Sequence, residues 1–152
     1  MGAAISADYG GRPVVLVGVL KGSFMFLADL IRNLTCPTRI DFIGTRSYSG
    51  ATTTGEVQLT KDLDQPIEGE DVLLVEDIID TGLTLNYLHN LLMQRGPRSL
   101  KTVALLDKPS RRRIQVEGDY VGFKIEDRFV IGYGLDFNQR YRNLRDVCIL
   151  AP

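Results

Sequence analysis

Three carboxylates crowd one short stretch of the chain, VLLVEDIIDTGLTL from Val72 to Leu85. Glu76 and Asp77 close an apolar run, Asp80 follows, and Thr81, Gly82, Leu83 and Thr84 come next, ahead of a leucine-rich segment. The Thr-Gly-x-Thr turn suits an anion, because its backbone N–H groups and hydroxyls, with the positive end of a following helix, can converge on a phosphate. Carboxylates would repel that anion, so they must address another part of the ligand. As pure acceptors they suit the two hydroxyls of a ribose, and as hard oxygen donors they suit Mg²⁺. A ribose with a 5-phosphate at one end and a Mg²⁺-bound pyrophosphate at the other satisfies all of these groups. No Gly-Lys-Ser/Thr ends the turn and no Gly-x-Gly-x-x-Gly follows a strand, which argues against a nucleoside triphosphate or a dinucleotide. The expected anion is a monophosphate.

Such a site needs strands to carry it. Four continuous, valine-rich runs read as strands covered on both faces: Pro13 to Leu20, Asp71 to Ile78, Lys101 to Asp107 and Phe129 to Leu135. Arg39 to Tyr48 reads as a fifth. In GSFMFLADLIRNL, Phe24, Leu27, Ile31 and Leu34 recur at helical steps and Ser23 is a candidate N-cap. In LTLNYLHNLLMQRG, Leu85, Leu88, Leu91 and Leu92 share a face, Arg95 suits the last turn, and Gly96-Pro97 ends the helix. Strands alternating with helices predict an α/β fold with a mostly parallel twisted sheet and helices on both faces. Ligands in such sheets sit beyond the carboxyl ends of the strands, so Lys21, Glu76, Asp77, Lys108 and Asp136 should share one rim. TRSYSGATTTGEV reads as a hairpin tip or an active-site lid. KPSRRRIQVEGDY, with Arg111, Arg112 and Arg113, reads as a solvated surface loop.

The chain of 152 residues, 44% apolar, is sized for one domain over residues 1–152 with a full core. Its net charge of −1 gives no general attraction to nucleic acid. Cys36 and Cys148 match no metal spacing and read as reduced thiols. No apolar run is long enough to span a bilayer, so a soluble, cytoplasmic protein is expected. MGAAIS fits the loose pattern for N-myristoylation, but no basic cluster supplies a second membrane signal.

VLLVEDIIDTGLTL resembles the binding signature of the type I phosphoribosyltransferases. VGVLKGSFMFLADLIR, DFIGTRSYSG, VALLDKP, DYVGFKIEDRFVIGYGLDFNQRYRNL and VCIL extend the likeness to the hypoxanthine (hypoxanthine-guanine) phosphoribosyltransferases of purine salvage, over nearly the whole chain and in order. The resemblance implies transfer of 5-phosphoribosyl from phosphoribosyl pyrophosphate to a 6-oxopurine, releasing pyrophosphate. It implies Glu76 and Asp77 on the ribose hydroxyls and a first metal ion, with Asp80 as proton acceptor beside the purine imidazole nitrogen. Against that role for Asp80 stands an ordinary helix N-cap or turn former. The same likeness puts Lys108 on the 6-oxo group, Phe129 stacked on the base and Val130 reading the purine edge through its backbone. Asp136 would lie near the amino-bearing edge and a second Mg²⁺. Lys21 and Gly22 would form the pyrophosphate turn, with a cis peptide between Leu20 and Lys21. Arg142, rather than the nearby Arg140, would contact pyrophosphate, and Ser47-Tyr48 would tip a closing lid.

The resemblance further implies a homo-oligomer, dimer or tetramer, and a small hood subdomain over the base. About a dozen residues precede the first strand, so the hood is expected to be shortened at the N-terminus. Two other readings remain at this point: a non-catalytic nucleotide-sensing regulator of the same fold, and an enzyme preferring xanthine. Lys108 argues against adenine.

Overall fold

The structure, a computed structural model, describes residues 1–48 and 56–151. After a short helix α1 (Gly2–Tyr9), a strand β1 (Val14–Leu20) leads through α2 (Phe24–Ile31) to β2 (Thr38–Tyr48) and the return strand β3 (Glu56–Lys61). Then come β4 (Asp71–Ile79), α3 (Leu83–Met93), β5 (Ser99–Asp107), a single 3₁₀ turn (Pro109–Arg111), β6 (Tyr120–Lys124), β7 (Val130–Ile131) and β8 (Cys148–Ile149).

Six strands make one sheet in the order β3-β2-β1-β4-β5-β6. All neighbours are parallel except β2 and β3, which pair antiparallel. The valine-rich runs occupy its centre because both faces are covered. On one face α1 and α2 place Ile5, Tyr9, Phe26, Leu27 and Leu30 against Val14, Leu16, Leu73, Val75 and Val103. On the other, α3 places Leu85, Leu88 and Leu92, with Leu91 partly buried beside them, against Val15, Val17, Val72 and Leu74. Alternate residues of β1 and β4 therefore feed opposite cores, which is why both strands read as unbroken apolar runs.

Several expectations need correction. FVIGYGL is not a core strand: only Val130–Ile131 is extended, paired antiparallel with Cys148–Ile149 in a separate two-stranded sheet. Gly132 (φ 87°), Tyr133 (φ 51°) and Gly134 (φ 98°) follow in left-handed conformation and cannot continue a pleated strand. Ser23 occupies the N-cap position of α2, but its hydroxyl donates back to the Val19 carbonyl at 2.7 Å instead of capping the helix. Thr45–Tyr48 and Glu56–Val57 are strand arms in register, Ser47 opposite Val57 and Tyr48 opposite Glu56. The GATTTG segment lies outside the described residues. Arg95 falls just beyond α3 and clasps Asp62 through two hydrogen bonds of 2.6 and 2.9 Å.

Candidate active site

From β1 the chain crosses to β2 on one side, and from β3 it returns to β4 on the other side of β1. The loops leaving the carboxyl ends of β1 and β4 therefore diverge, and the gap between them is the crevice in which open α/β sheets bind ligands. A cavity of about 380 Å³ opens there. Its walls include Lys21 and Gly22 after β1, Glu76 and Asp77 at the end of β4, and Asp80, Thr81, Gly82 and Thr84 at the head of α3. Ser47, Asp136 and Arg142 complete it. Eleven of the sixteen residues expected to form a site thus meet in one cavity. Leu83 begins α3 behind the turn, while Lys108, Phe129 and Val130 lie outside the cavity wall; of the Tyr48 side chain nothing is described.

The turn has the form an anion site requires. Gly82 is the N-cap of α3 with φ 85°, a left-handed conformation that glycine adopts without a steric penalty. No side chain caps the helix start. The first turn of any helix leaves N–H groups without intrahelical partners. Leu83 N–H finds only the Thr81 hydroxyl, at 3.4 Å. A methyl group at position 82 would lie 2.7 Å from Val116 and 2.9 Å from the Ile114 carbonyl, so the turn is also backed tightly by the segment after β5.

The acids next to the turn are set for a cation or hydroxyls rather than for an anion. Glu76 is buried, and burial together with the charge of Asp77 pushes its carboxyl well above the usual range. Burial also raises Asp77; its backbone neighbour Ile78 donates to Oδ1 at 2.8 Å and opposes the shift, as does Arg142. A Cβ on Gly22 would lie 1.7 Å from Asp77 Oδ2, so position 22 is glycine because the Asp77 carboxylate occupies that space. Among the described residues no three carboxylate, imidazole or thiol groups draw close enough to hold an ion unaided. The Glu76–Asp77 pair does fit Mg²⁺, which is commonly bound through one or two carboxylates plus waters and substrate phosphates.

Across the cavity stand the cations. The Leu20–Lys21 peptide is cis, as the resemblance implies. Lys21 Nζ donates to Gln139 Oε1 at 3.2 Å, and Arg142 Nη2 donates to the same oxygen at 3.1 Å. Arg142 also donates to the Gly134 carbonyl at 2.7 Å and pairs with Asp136 at 3.2 Å. Gly134 packs against the Gly22 carbonyl with no room for a side chain, which delivers Asp136 and Arg142 to the Lys21–Gly22 turn. Arg140 is exposed and forms no part of the cavity wall.

The third group flanks the cavity. Lys108 follows β5, its side chain only 7% exposed and its Nζ 4.0 Å from Asp127. Its backbone N–H donates to the Ile79 carbonyl at 2.9 Å, which ties it to the strand that carries the acids. Phe129 is half exposed and meets Phe137 edge-on, with centroids 5.6 Å apart, so it is not the core residue that a strand start would suggest. Asp80 is no N-cap; its carboxylate takes a bond from Arg111 Nε at 3.3 Å.

Arg111 and Arg113 are exposed as expected of a solvated loop, but Arg112 between them is not. Arg112 is largely buried, pairs with Asp107, and donates to the carbonyls of Ile79 (3.1 Å), Asp80 (2.8 Å) and Val116 (2.9 Å). Arg113 and Ile114 N–H groups donate to the Thr81 carbonyl at 2.8 and 3.3 Å. With the carbonyls of residues 79–81 held by this segment, the turn is braced from behind. The residue spacing gives no sign of this, since every partner except Asp107 and Val116 lies more than thirty positions away.

The model of the phosphoribosyl transferase domain matches residues 2–138. The chain belongs to the phosphoribosyltransferase family. Among curated relatives it is 51% identical to the hypoxanthine-guanine phosphoribosyltransferase of Staphylococcus aureus over all of this chain and 86% of that protein. Its structure superposes on a crystal structure of hypoxanthine phosphoribosyltransferase from the same organism with a TM-score of 0.95 at 51% identity, covering 99% of this chain and 83% of that one. A Trypanosoma cruzi hypoxanthine phosphoribosyltransferase solved with the product IMP aligns with a TM-score of 0.92 at 47% identity, covering 99% of this chain and 82% of that one. No described helix is long and apolar enough to cross a membrane.

Proposed function

We propose that residues 1–152 act as a single-domain, Mg²⁺-dependent hypoxanthine phosphoribosyltransferase that also accepts guanine. One observation carries this reading: a single cavity joins an uncapped helix start, a buried acid beside a half-buried one, and a pair of cations. Such a set fits a ligand with phosphate at both ends and a diol between them. The relatives named for the same reaction, at half identity over the whole chain, support it.

In this reading residues 81–84 hold the 5-phosphate, Glu76 and Asp77 take the ribose hydroxyls, and Lys21, Gly22 and Arg142 receive the pyrophosphate. Glu76 and Asp77 would hold a first Mg²⁺ and Asp136 would lie near a second, and the bound metal would neutralise charge on the leaving group. The purine ring nitrogen bonds to the anomeric carbon as the bond to pyrophosphate breaks. Positive charge that develops on the sugar then faces Glu76 and Asp77, and negative charge on the leaving group faces Lys21 and Arg142. Asp80 accepts the proton that the base gives up, a contribution of typically about 10²–10⁴-fold for a positioned group. Lys108, a donor with no acceptor, selects a 6-oxo over a 6-amino purine. Phe129 supplies a stacking face, Val130 a backbone contact, and Ser47-Tyr48 a lid that excludes water. Assembly into dimers or tetramers is part of the same reading, and sedimentation of the purified chain tests it.

The deciding assay is pyrophosphate release from phosphoribosyl pyrophosphate with hypoxanthine, guanine, xanthine or adenine, in Mg²⁺. Turnover with hypoxanthine and guanine and none with adenine is the expected result. Nucleotide binding without turnover of any base would overturn it in favour of a sensor.

A further inference from the structure

Two cations leave the segment after β5 on the same side. Lys108 is the N-cap of the 3₁₀ turn Pro109–Arg111, and Arg111 N–H donates to the Lys108 carbonyl at 3.1 Å. Lys108 itself lies outside the helical dihedrals (φ −111°, ψ 80°), and it is a shared acid that brings its side chain and that of Arg111 together. Asp127 lies between them, 4.0 Å from Lys108 Nζ and 3.8 Å from Arg111 Nη1. Arg111 in turn lies between Asp127 and Asp80, with its Nε 3.3 Å from Asp80 Oδ1. The order Lys108, Asp127, Arg111, Asp80 thus alternates in sign from the residue assigned to the purine oxygen to the one assigned its proton.

Asp80 needs such a partner. Its side chain does not cap α3, and among the described residues Arg111 Nε is the side-chain donor its carboxylate has. Arg112 already grips the Asp80 main-chain carbonyl at 2.8 Å, which fixes the backbone but leaves the side-chain torsions free. The neighbouring Arg111 supplies the missing constraint on the carboxylate and draws it toward the turn that carries Lys108.

We propose that Arg111 is a positioning residue that acts through Asp80, holding its carboxylate on the Lys108 side of the site for proton transfer from the base. A half-exposed ion pair contributes little to folding, so the role should appear in turnover and not in stability. The inference rests on Asp80 as proton acceptor, and one set of variants separates the two claims. Arg111→Met removes the charge but keeps length; Arg111→Lys keeps charge but loses the planar fork. Misplacement of a reacting group by about 1 Å can cost on the order of 10²-fold, so Arg111→Met should lower kcat about 10- to 100-fold. The KM for phosphoribosyl pyrophosphate should stay within about twofold and the melting temperature unchanged, with Arg111→Lys recovering part of kcat, since only a contact made through Asp80 is lost. In an Asp80→Asn background the same Arg111→Met change should alter kcat less than about twofold, because residues acting as one unit are not additive. If Asp80→Asn alone turns over normally, the assignment of Asp80 fails. If Asp80→Asn is impaired but Arg111→Met is as active as wild type, or loses as much in the Asp80→Asn background as in the wild type, the positioning role is overturned.

Discussion

Gly22→Ala probes the coupling between the loop after β1 and the acids of β4. The added Cβ would lie 1.7 Å from Asp77 Oδ2 and 2.6 Å from its Cγ, whereas real Cβ atoms essentially never approach another atom within 3.0 Å. The loop or the carboxylate must give way by more than about 1 Å, and a shift of that size near reacting groups costs on the order of 10²-fold in rate. Asp77 cannot yield without effort, because Ile78 N–H holds its other oxygen at 2.8 Å. The loop cannot yield freely either, since the Gly22 carbonyl abuts Gly134 on its far side. The variant should fold, because Gly22 lies outside both buried clusters, yet lose about 10²-fold in kcat/KM for phosphoribosyl pyrophosphate. Steady-state pyrophosphate release at varied phosphoribosyl pyrophosphate, with circular dichroism as a folding control, reads both. A folded Gly22→Ala variant with wild-type kcat/KM would refute the claim that Asp77 works from where it now stands.

Lys108→Ala should raise KM for hypoxanthine about 10- to 100-fold, as expected for a lost charged hydrogen bond, while KM for phosphoribosyl pyrophosphate changes little; equal effects on both would remove Lys108 from base recognition. Glu76 and its neighbour carry carboxyls raised by burial, so their protons favour the fold below about pH 4.3, the ordinary Glu value, and that favour is lost as pH climbs through the raised value. Glu76→Gln should therefore melt higher than wild type at pH 8 without divalent ions, with a smaller gain at pH 5; a lower melting point at pH 8 would contradict this. Asp71 shows the opposite sign. Hydrogen bonds from Arg98, Ser99 and Arg12 hold its carboxyl well below the usual range against the effect of burial, so its contribution is present above about pH 3.9 and fades as acid protonates the folded state. Asp71→Asn should lower the melting temperature by a few degrees at pH 7 and converge on wild type toward pH 2, and a constant difference across pH would count against it.

Much of this arrangement is readable from residue types. β1, β4 and β5 appear as unbroken valine-rich runs because the sheet centre is covered twice, and α3 as leucines on one face. The edges are quieter. Glu56–Lys61 buries only alternate residues partially, and Tyr120–Lys124 is largely exposed, so neither carries a strong apolar signal. FVIGYGL misleads because apolar content outweighs its glycines, whereas the backbone turns left-handed at three successive residues. α1 escapes because only Ile5 and Tyr9, one turn apart, are buried. In the site, the acids and the Thr-Gly turn announce their chemistry locally. Arg111, Arg112 and Gln139 do not, since each acts on groups that only folding brings near. An arginine run three residues after a strand-end lysine has no local mark that separates a brace from a solvated loop.

In the proposed function, amides of residues 81–84 bind the sugar phosphate while Glu76 and Asp77 bind its hydroxyls. A crystal structure of the chain with inosine or guanosine monophosphate tests it most directly. Phosphate oxygens are expected within hydrogen-bonding distance of the N–H groups at the start of α3, with the ribose diol against Glu76 and Asp77. A phosphate bound instead at Lys21 and Arg142, or anywhere outside this turn, would contradict it.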